Sequence, residues 1–200
     1  MPKFHAASIV NNELHQTLAM TKPVDRAGAL FYYHRESPFT RLIHGAKYND
    51  LPQLARLLGE QLGLYYLNTG FFDDIDALIP VPISTFKKIR RGYNQSLMIA
   101  QGISKISGIK IMDCLKSRPH STQTRKNARY RFENARGVYS VKKSWEILLS
   151  KKQLGRPLHV ILVDDVVTTG ATMLQCIKSL REIEPSINIS VLAPAATKIS

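Results

Sequence analysis

Val160-Ile161-Leu162-Val163-Asp164-Asp165-Val166-Val167-Thr168-Thr169-Gly170-Ala171-Thr172 decides how the rest of the chain is read. Its first four residues form an unbroken apolar run, as in a strand buried on both faces of a parallel sheet. The run stops at two adjacent carboxylates. Open α/β sheets bind ligands outside the carboxyl ends of their strands, so Asp164 and Asp165 fall where such folds carry chemistry. Val166 and Val167 return to packing, and small hydroxyl-bearing residues follow. Met173, Cys176, Ile177 and Leu180 then recur at helical spacing. A strand-to-helix turn of this kind exposes backbone N–H groups at the positive end of a helix dipole, where an anion can approach unobstructed. Thr168 to Thr172 therefore read as a monophosphate cradle, with acids one sugar away that can accept from ribose hydroxyls. An acidic helix cap with an ordinary turn is the plainer alternative. The chain has no Gly-x-x-x-x-Gly-Lys-Ser/Thr pattern, so the turn is not a Walker loop.

Working outward, Ala77-Leu78-Ile79-Pro80-Val81 reads as a buried strand that ends in a loop, because prolines at 80 and 82 cannot continue a central ladder. Met98, Ile99, Ile103 and Ile106 give a helix from Gln95 to about Ile106, and Gly108 breaks it before a strand at Ile109-Lys110-Ile111-Met112. Leu51, Leu54, Leu58 and Leu62 predict another helix with a core-facing stripe, which Gly63 helps to end. Ala29 to Tyr33 has strand composition, whereas the first two dozen residues lack periodicity. Gly137 to Val141 alternates like a strand, and Trp145 to Leu149 suits a short helix. Alternating strands and helices predict an α/β fold with a mainly parallel sheet and flanking helices. Residues 1–200 form one domain in this reading, with 1–72 as a cover or hood and 73–200 as the core carrying the 160–172 loop.

Lys and Arg number 28 against 15 Asp and Glu, a formal charge of +13 that favours phosphate-rich partners without naming one. Residues 116–136 hold seven Lys or Arg and one acid, Glu133, with no apolar run to bury; an exposed loop is expected. Cys114 and Cys176 are too few for a disulfide framework or a zinc site and are expected reduced and buried. No stretch has the length and apolarity of a signal core or membrane span, so the expectation is a soluble cytoplasmic protein without membrane insertion. The six histidines are scattered and lack a nucleophile elbow, which argues against a hydrolase triad.

Val160 to Thr172, with its acidic pair and Thr-Thr-Gly-Ala-Thr turn, resembles the 5-phosphoribosyl 1-diphosphate (PRPP) motif of type I phosphoribosyltransferases. Ile43 to Tyr48, Ile79-Pro80-Val81-Pro82 and Arg91-Gly92-Tyr93-Asn94-Gln95 narrow the resemblance to the ComF family of competence-associated proteins. A second basic block, with Arg118, Thr122, Gln123, Arg131, Asn134, Gly137 and Tyr139, is similar in order; the likeness spans about residues 29–195. It implies that Asp164 and Asp165 are catalytic as well as PRPP-binding, with Thr168, Thr169, Gly170, Ala171 and Thr172 on the 5-phosphate. Pro82, Ile83, Arg91, Arg118, Arg125 and Lys126 become candidates for the diphosphate or a closing lid. Mg2+ is the implied cofactor, held mainly through PRPP because it favours oxygen ligands and retains waters; no protein metal site is assigned. Many ComF proteins begin with a four-cysteine zinc module, which two cysteines cannot supply, so any zinc-dependent contact is not carried over.

Three functions remain open on the sequence. The first is a phosphoribosyltransferase acting on an unidentified nitrogen acceptor, linked by resemblance to DNA uptake. The second is a non-catalytic module binding PRPP and single-stranded DNA among the competence machinery, with Tyr130 and Phe132 stacking on bases. The third is a purine or pyrimidine salvage enzyme, for which no base pocket is identified. The residues do not state an oligomeric state.

Overall fold

The computed structural model describes residues 12–19, 23–33, 51–84, 89, 91–117, 138–143, 145 and 155–197. Its main sheet has the order β1 (Ala27–Tyr32), β7 (Asn188–Ala196), β5 (His159–Val163), β2 (Ala77–Pro80), with β6 (Val166–Val167) also on β7. All these pairings are parallel. A separate antiparallel pair joins β3 (Leu115–Ser117) to β4 (Tyr139–Val141).

β5 is buried at every position, and its side chains divide between the two faces with the period of two that a strand imposes. Val160 and Leu162 join Ile79, Met173, Cys176, Ile177, Val191 and Trp145 on one side. Ile161 and Val163 join Leu62, Tyr66, Leu78, Ile99, Ile103 and Leu192 on the other. The first face is covered by α1 (Glu13–Ala19), α4 (Ala171–Ile183) and the β3–β4 pair, the second by α2 (Pro52–Tyr66) and α3 (Gln95–Ser107). Within the 1–72 portion expected as a cover, β1 completes the sheet and α2 builds one of its faces.

The local expectations hold for the strand at 77–81 and the helices after Asn94 and Gly170, and four need correction: Leu51 is an exposed cap of its helix, Lys116 and Ser117 belong to β3 and not to a loop, and two concern a glycine and a strand. Gly63 does not end its helix: α2 runs on to Tyr66 because the glycine serves helix packing, and a Cβ there would lie 2.7 Å from Ile106 Cβ. Gly102 does the same from α3, where an added Cβ would stand 2.1 Å from the Arg56 carbonyl oxygen. The strand expected at 109–112 is a single parallel bridge, Ile111 to Leu78. The Leu78 N–H donates to Lys110 O and the Met112 N–H to Leu78 O, after which the chain turns away with Cys114 N–H on Met112 O. The 43–48 string, most of the 116–136 block and residues 146–149 lie outside the described residues.

Beside the short strands β3 and β6, two elements have no counterpart in the expectations. α1 is short, but Asn12 accepts from the His15 N–H at 2.9 Å while Leu14 and Leu18, four apart, are buried. β7 is the sheet's central strand, flanked by β1 on one side and by β5 and β6 on the other.

Candidate functional site

The two acids stand at a short break in the pairing, where the Asp164 N–H still donates to Leu192 O at 3.3 Å. Val163 pairs with Leu192 and Val166 with Ala195, so one register runs straight through, with Asp165 standing opposite Pro194. Proline has no N–H to give the ladder. β1 shows the same interruption, pairing Ala29 with Ala193 and Phe31 with Ala195 but omitting the position opposite Pro194. Asp164 and Asp165 thus sit half-buried at the carboxyl end of a fully buried strand. Pro194 was absent from the sequence reading, although a proline inside an apolar run is a signal for such a break.

Beyond β6, Thr168, Thr169, Ala171 and Thr172 are exposed, while Gly170 is buried beneath them. Gly170 caps α4 at φ 74°, a left-handed conformation that glycine adopts without a Cβ penalty. A Cβ on it would also approach Leu18 Cδ2 of α1 to 2.8 Å, so α1 buttresses the turn from below. The Leu174 N–H is bonded to Gly170 O, so the preceding amides lie ahead of the helical ladder, and the Ala171 N–H donates to Thr169 Oγ1 at 3.5 Å. The first turn of α4 has no acidic residue to complement its dipole. These features make an anion-receptive turn beside two carboxylates.

The other side of the acidic pair is formed by α3. Its cap residue Asn94 accepts from the Ser96 N–H at 3.1 Å and donates from Nδ2 to Val81 O at 3.1 Å, pinning the helix to the end of β2. Ser96 donates from its hydroxyl to Asp164 Oδ1 at 2.9 Å. The Asp165 N–H reaches the same oxygen at 2.9 Å. Pro82 is buried and Ile83 half-buried just past Val81, and Arg91 donates to Gln95 Oε1 at 3.3 Å on the approach to α3. The Gln95 Nε2 is buried with no acceptor among the described residues. Arg118, Arg125 and Lys126 lie outside the described residues.

Tyr139 closes the group. Its carbonyl accepts from Ser179 Oγ of α4 at 3.0 Å, and its phenol interacts with Thr172. Burial pushes that phenol up to about 12, with the neighbouring Cys176 and Asp164 adding to the rise and Thr172 opposing it. Because Ser117 pairs with Tyr139, the chain leaves for the basic segment and returns from it beside the turn. Ser96 and Tyr139 had no assigned role in the sequence reading, since only folding brings them to the acids. Both cysteines are free and buried; burial raises Cys114 to about 12 and Cys176 well above its ordinary value, so neither is a ready nucleophile.

The Phosphoribosyl transferase domain family matches residues 69–199. This chain belongs to that family. The match begins just before β2 and includes the acidic pair, the turn and α4, and with the parallel sheet it establishes the type I phosphoribosyltransferase fold. Competence protein F of Haemophilus influenzae is 34% identical over 155 residues, covering 75% of this chain and 65% of that protein. DNA utilization protein YhgH of Escherichia coli K12 is 30% identical over 142 residues, 69% of this chain and 59% of that protein. These relatives bear out the ComF resemblance, and the chain spans about three-fifths to two-thirds of their length. An adenine phosphoribosyltransferase structure aligns at TM-score 0.39 with 15% identity over 71% of each chain. That likeness is too loose to transfer a ligand. Among the described residues, no helix is long and apolar enough to cross a membrane.

Proposed function

We propose that this phosphoribosyltransferase-fold protein binds PRPP at the carboxyl edge of its sheet and transfers the phosphoribosyl group to a nitrogen acceptor, releasing diphosphate. The observation that supports the proposal is the break in pairing opposite Pro194, which places two half-buried acids at the end of β5 beside an exposed Thr-Thr-Gly-Ala-Thr turn. In this scheme the turn takes the 5-phosphate on backbone amides and threonine hydroxyls. Asp164 and Asp165 accept from the ribose hydroxyls, which orients the anomeric carbon. The nitrogen's lone pair forms the new bond to that carbon as the bond to the diphosphate oxygen breaks, and the diphosphate leaves with the electron pair. The protein's contribution is position and fixed charge.

Pro82, Ile83 and Arg91, beside the start of α3, are the diphosphate candidates inside the described residues. The buried Gln95 amide adds a donor at the same helix end. Arg118, Arg125 and Lys126 are proposed to close over the bound substrate and exclude water. Mg2+ would fit beside Asp164 and Asp165, whose ribose contacts leave it to be held mainly by PRPP oxygens, and it would supply charge to offset the departing diphosphate. The reading places this work in the cytoplasm, in the setting that the relatives' names of competence and DNA utilization suggest.

Calorimetry with PRPP and Mg2+ tests the site. Changing Asp164 and Asp165 together to Asn is expected to abolish binding while the fold persists, and unchanged affinity would refute the assigned roles. A screen for diphosphate release across bases, amines and single-stranded nucleic acid tests the reaction. The charge of +13 supports a second reading, a module that binds PRPP and single-stranded DNA without turnover. PRPP binding without diphosphate release from any acceptor, together with salt-dependent DNA binding weakened by neutralising residues 116–136, is the result that would favour it.

A further inference from the structure

We propose that Ser96 is a positioning residue, through which the first turn of α3 sets the geometry of Asp164 and hence the capture of ribose. The proposal rests on the reading of Asp164 as a ribose ligand and goes beyond it by naming what holds that ligand in place. Ser96 is 2% exposed and comes from 68 residues earlier in the chain than its partner. Its hydroxyl and the Asp165 amide converge on one oxygen of Asp164, each at 2.9 Å. A carboxylate on a strand-end turn otherwise has rotamers to choose from. Two donors on one oxygen select one of them, and hydrogen bonds to a charged acceptor are about twice as strong as neutral ones.

Helix electrostatics point the same way. α3 has no acidic residue in its own first turn, and Ser96 is its second residue, so the carboxylate complementing the positive end of α3 is supplied from β5's exit by Asp164. That interaction offsets part of the repulsion between two adjacent acids. Asn94 ties the same turn to Val81 at the exit of β2, the strand beside β5. One rigid helical turn therefore connects the end of β2, ahead of the diphosphate candidates Pro82 and Ile83, with the acids at the end of β5. Ser96 is the link on the acidic side.

A double-mutant cycle on the full chain tests this, read by calorimetry with ribose 5-phosphate, PRPP with Mg2+, and inorganic phosphate as separate probes. Ser96→Ala is expected to weaken ribose 5-phosphate and PRPP about tenfold, the size of one hydrogen bond to a charged group, while leaving inorganic phosphate at the turn unaffected. Ser96→Thr, which keeps the hydroxyl, is expected to restore most of the loss. In an Asp164→Ala background, which removes the accepting oxygen, Ser96→Ala is expected to add less than a twofold change. Ser96→Cys keeps the size with a weak donor and carries the test should the alanine variant not fold. Wild-type affinity in Ser96→Ala and Ser96→Cys would overturn the proposal while leaving the PRPP reading intact. A loss of equal size in the Asp164→Ala background, or one shared by inorganic phosphate, would overturn it in favour of a purely structural serine. Failure of the unmodified protein to bind ribose 5-phosphate or PRPP would instead sink the parent reading.

Discussion

The two ends of the parallel sheet use polar residues in opposite ways. At the amino end they are engaged with one another: Asp76 accepts from both terminal guanidinium nitrogens of Arg156 at 3.0 Å and from the His159 N–H at 2.9 Å. His159 Nε2 meets Ser190 Oγ at 2.9 Å, and Asp25 accepts from the Ile189 N–H at 2.7 Å. At the carboxyl end, Thr168, Thr169 and Thr172 are exposed around a glycine cap, and the half-buried acids stand between the paired residues Val163 and Val166. Bonds that hold strands in register make the first end a stability device. Groups presented towards solvent make the second the place of the proposed receptor. The same backbone dictates both, because each parallel strand ends on the same side, before the helices whose positive ends gather there.

If this division is right, a change at one end moves binding and a change at the other moves stability. Gly170→Val is expected to have the largest effect after loss of the acids. It forces a β-branched residue to φ 74° and against Leu18, and should weaken phosphate and PRPP binding more than tenfold by calorimetry. Equal affinity in that variant would mean that the turn does not hold the anion. Asp76→Ala should leave PRPP affinity unchanged. It removes the acceptor of both Arg156 and the His159 amide, so a stability loss of about 1–3 kcal/mol is expected in urea titration, or a fall in Tm of roughly 4–8 °C at the middle of that range. A parallel fall in affinity at matched fraction folded would blur the comparison.

The smallest effect is one of pH. Burial holds the His159 imidazole below its ordinary value of 6.5, so between its folded and unfolded values the unfolded chain binds more protons. This contribution is complete above about pH 6.5 and is lost as pH falls through the window towards the folded value. His159→Gln is expected to flatten the acid side of the stability profile measured by urea unfolding. A profile that keeps its full slope would assign the acid sensitivity to other groups.

Much of the site was legible before any fold was known, for a local reason. The apolar run of β5, the acids that end it and the small-residue turn are contiguous, and a strand-to-helix connection carries its own signals in propensity and spacing. α2 was visible from its leucines, but its glycine was misread as a stop, since close helix packing and helix termination leave the same mark in one sequence. The bridge at Ile111 was read as a strand because composition does not say how far an edge segment keeps its partner.

The sequence alone determined the parallel α/β class, the turn, and Asp164 and Asp165 as its companions, since each depends on residues a few positions apart. Tertiary structure decided the rest. Pro194 opens the ladder from a strand about thirty residues downstream, Ser96 reaches Asp164 from another helix, and Tyr139 and Leu18 close on the turn from two further elements. Those relations join side chains distant in sequence, and no local propensity encodes which of them a packed sheet will bring into contact.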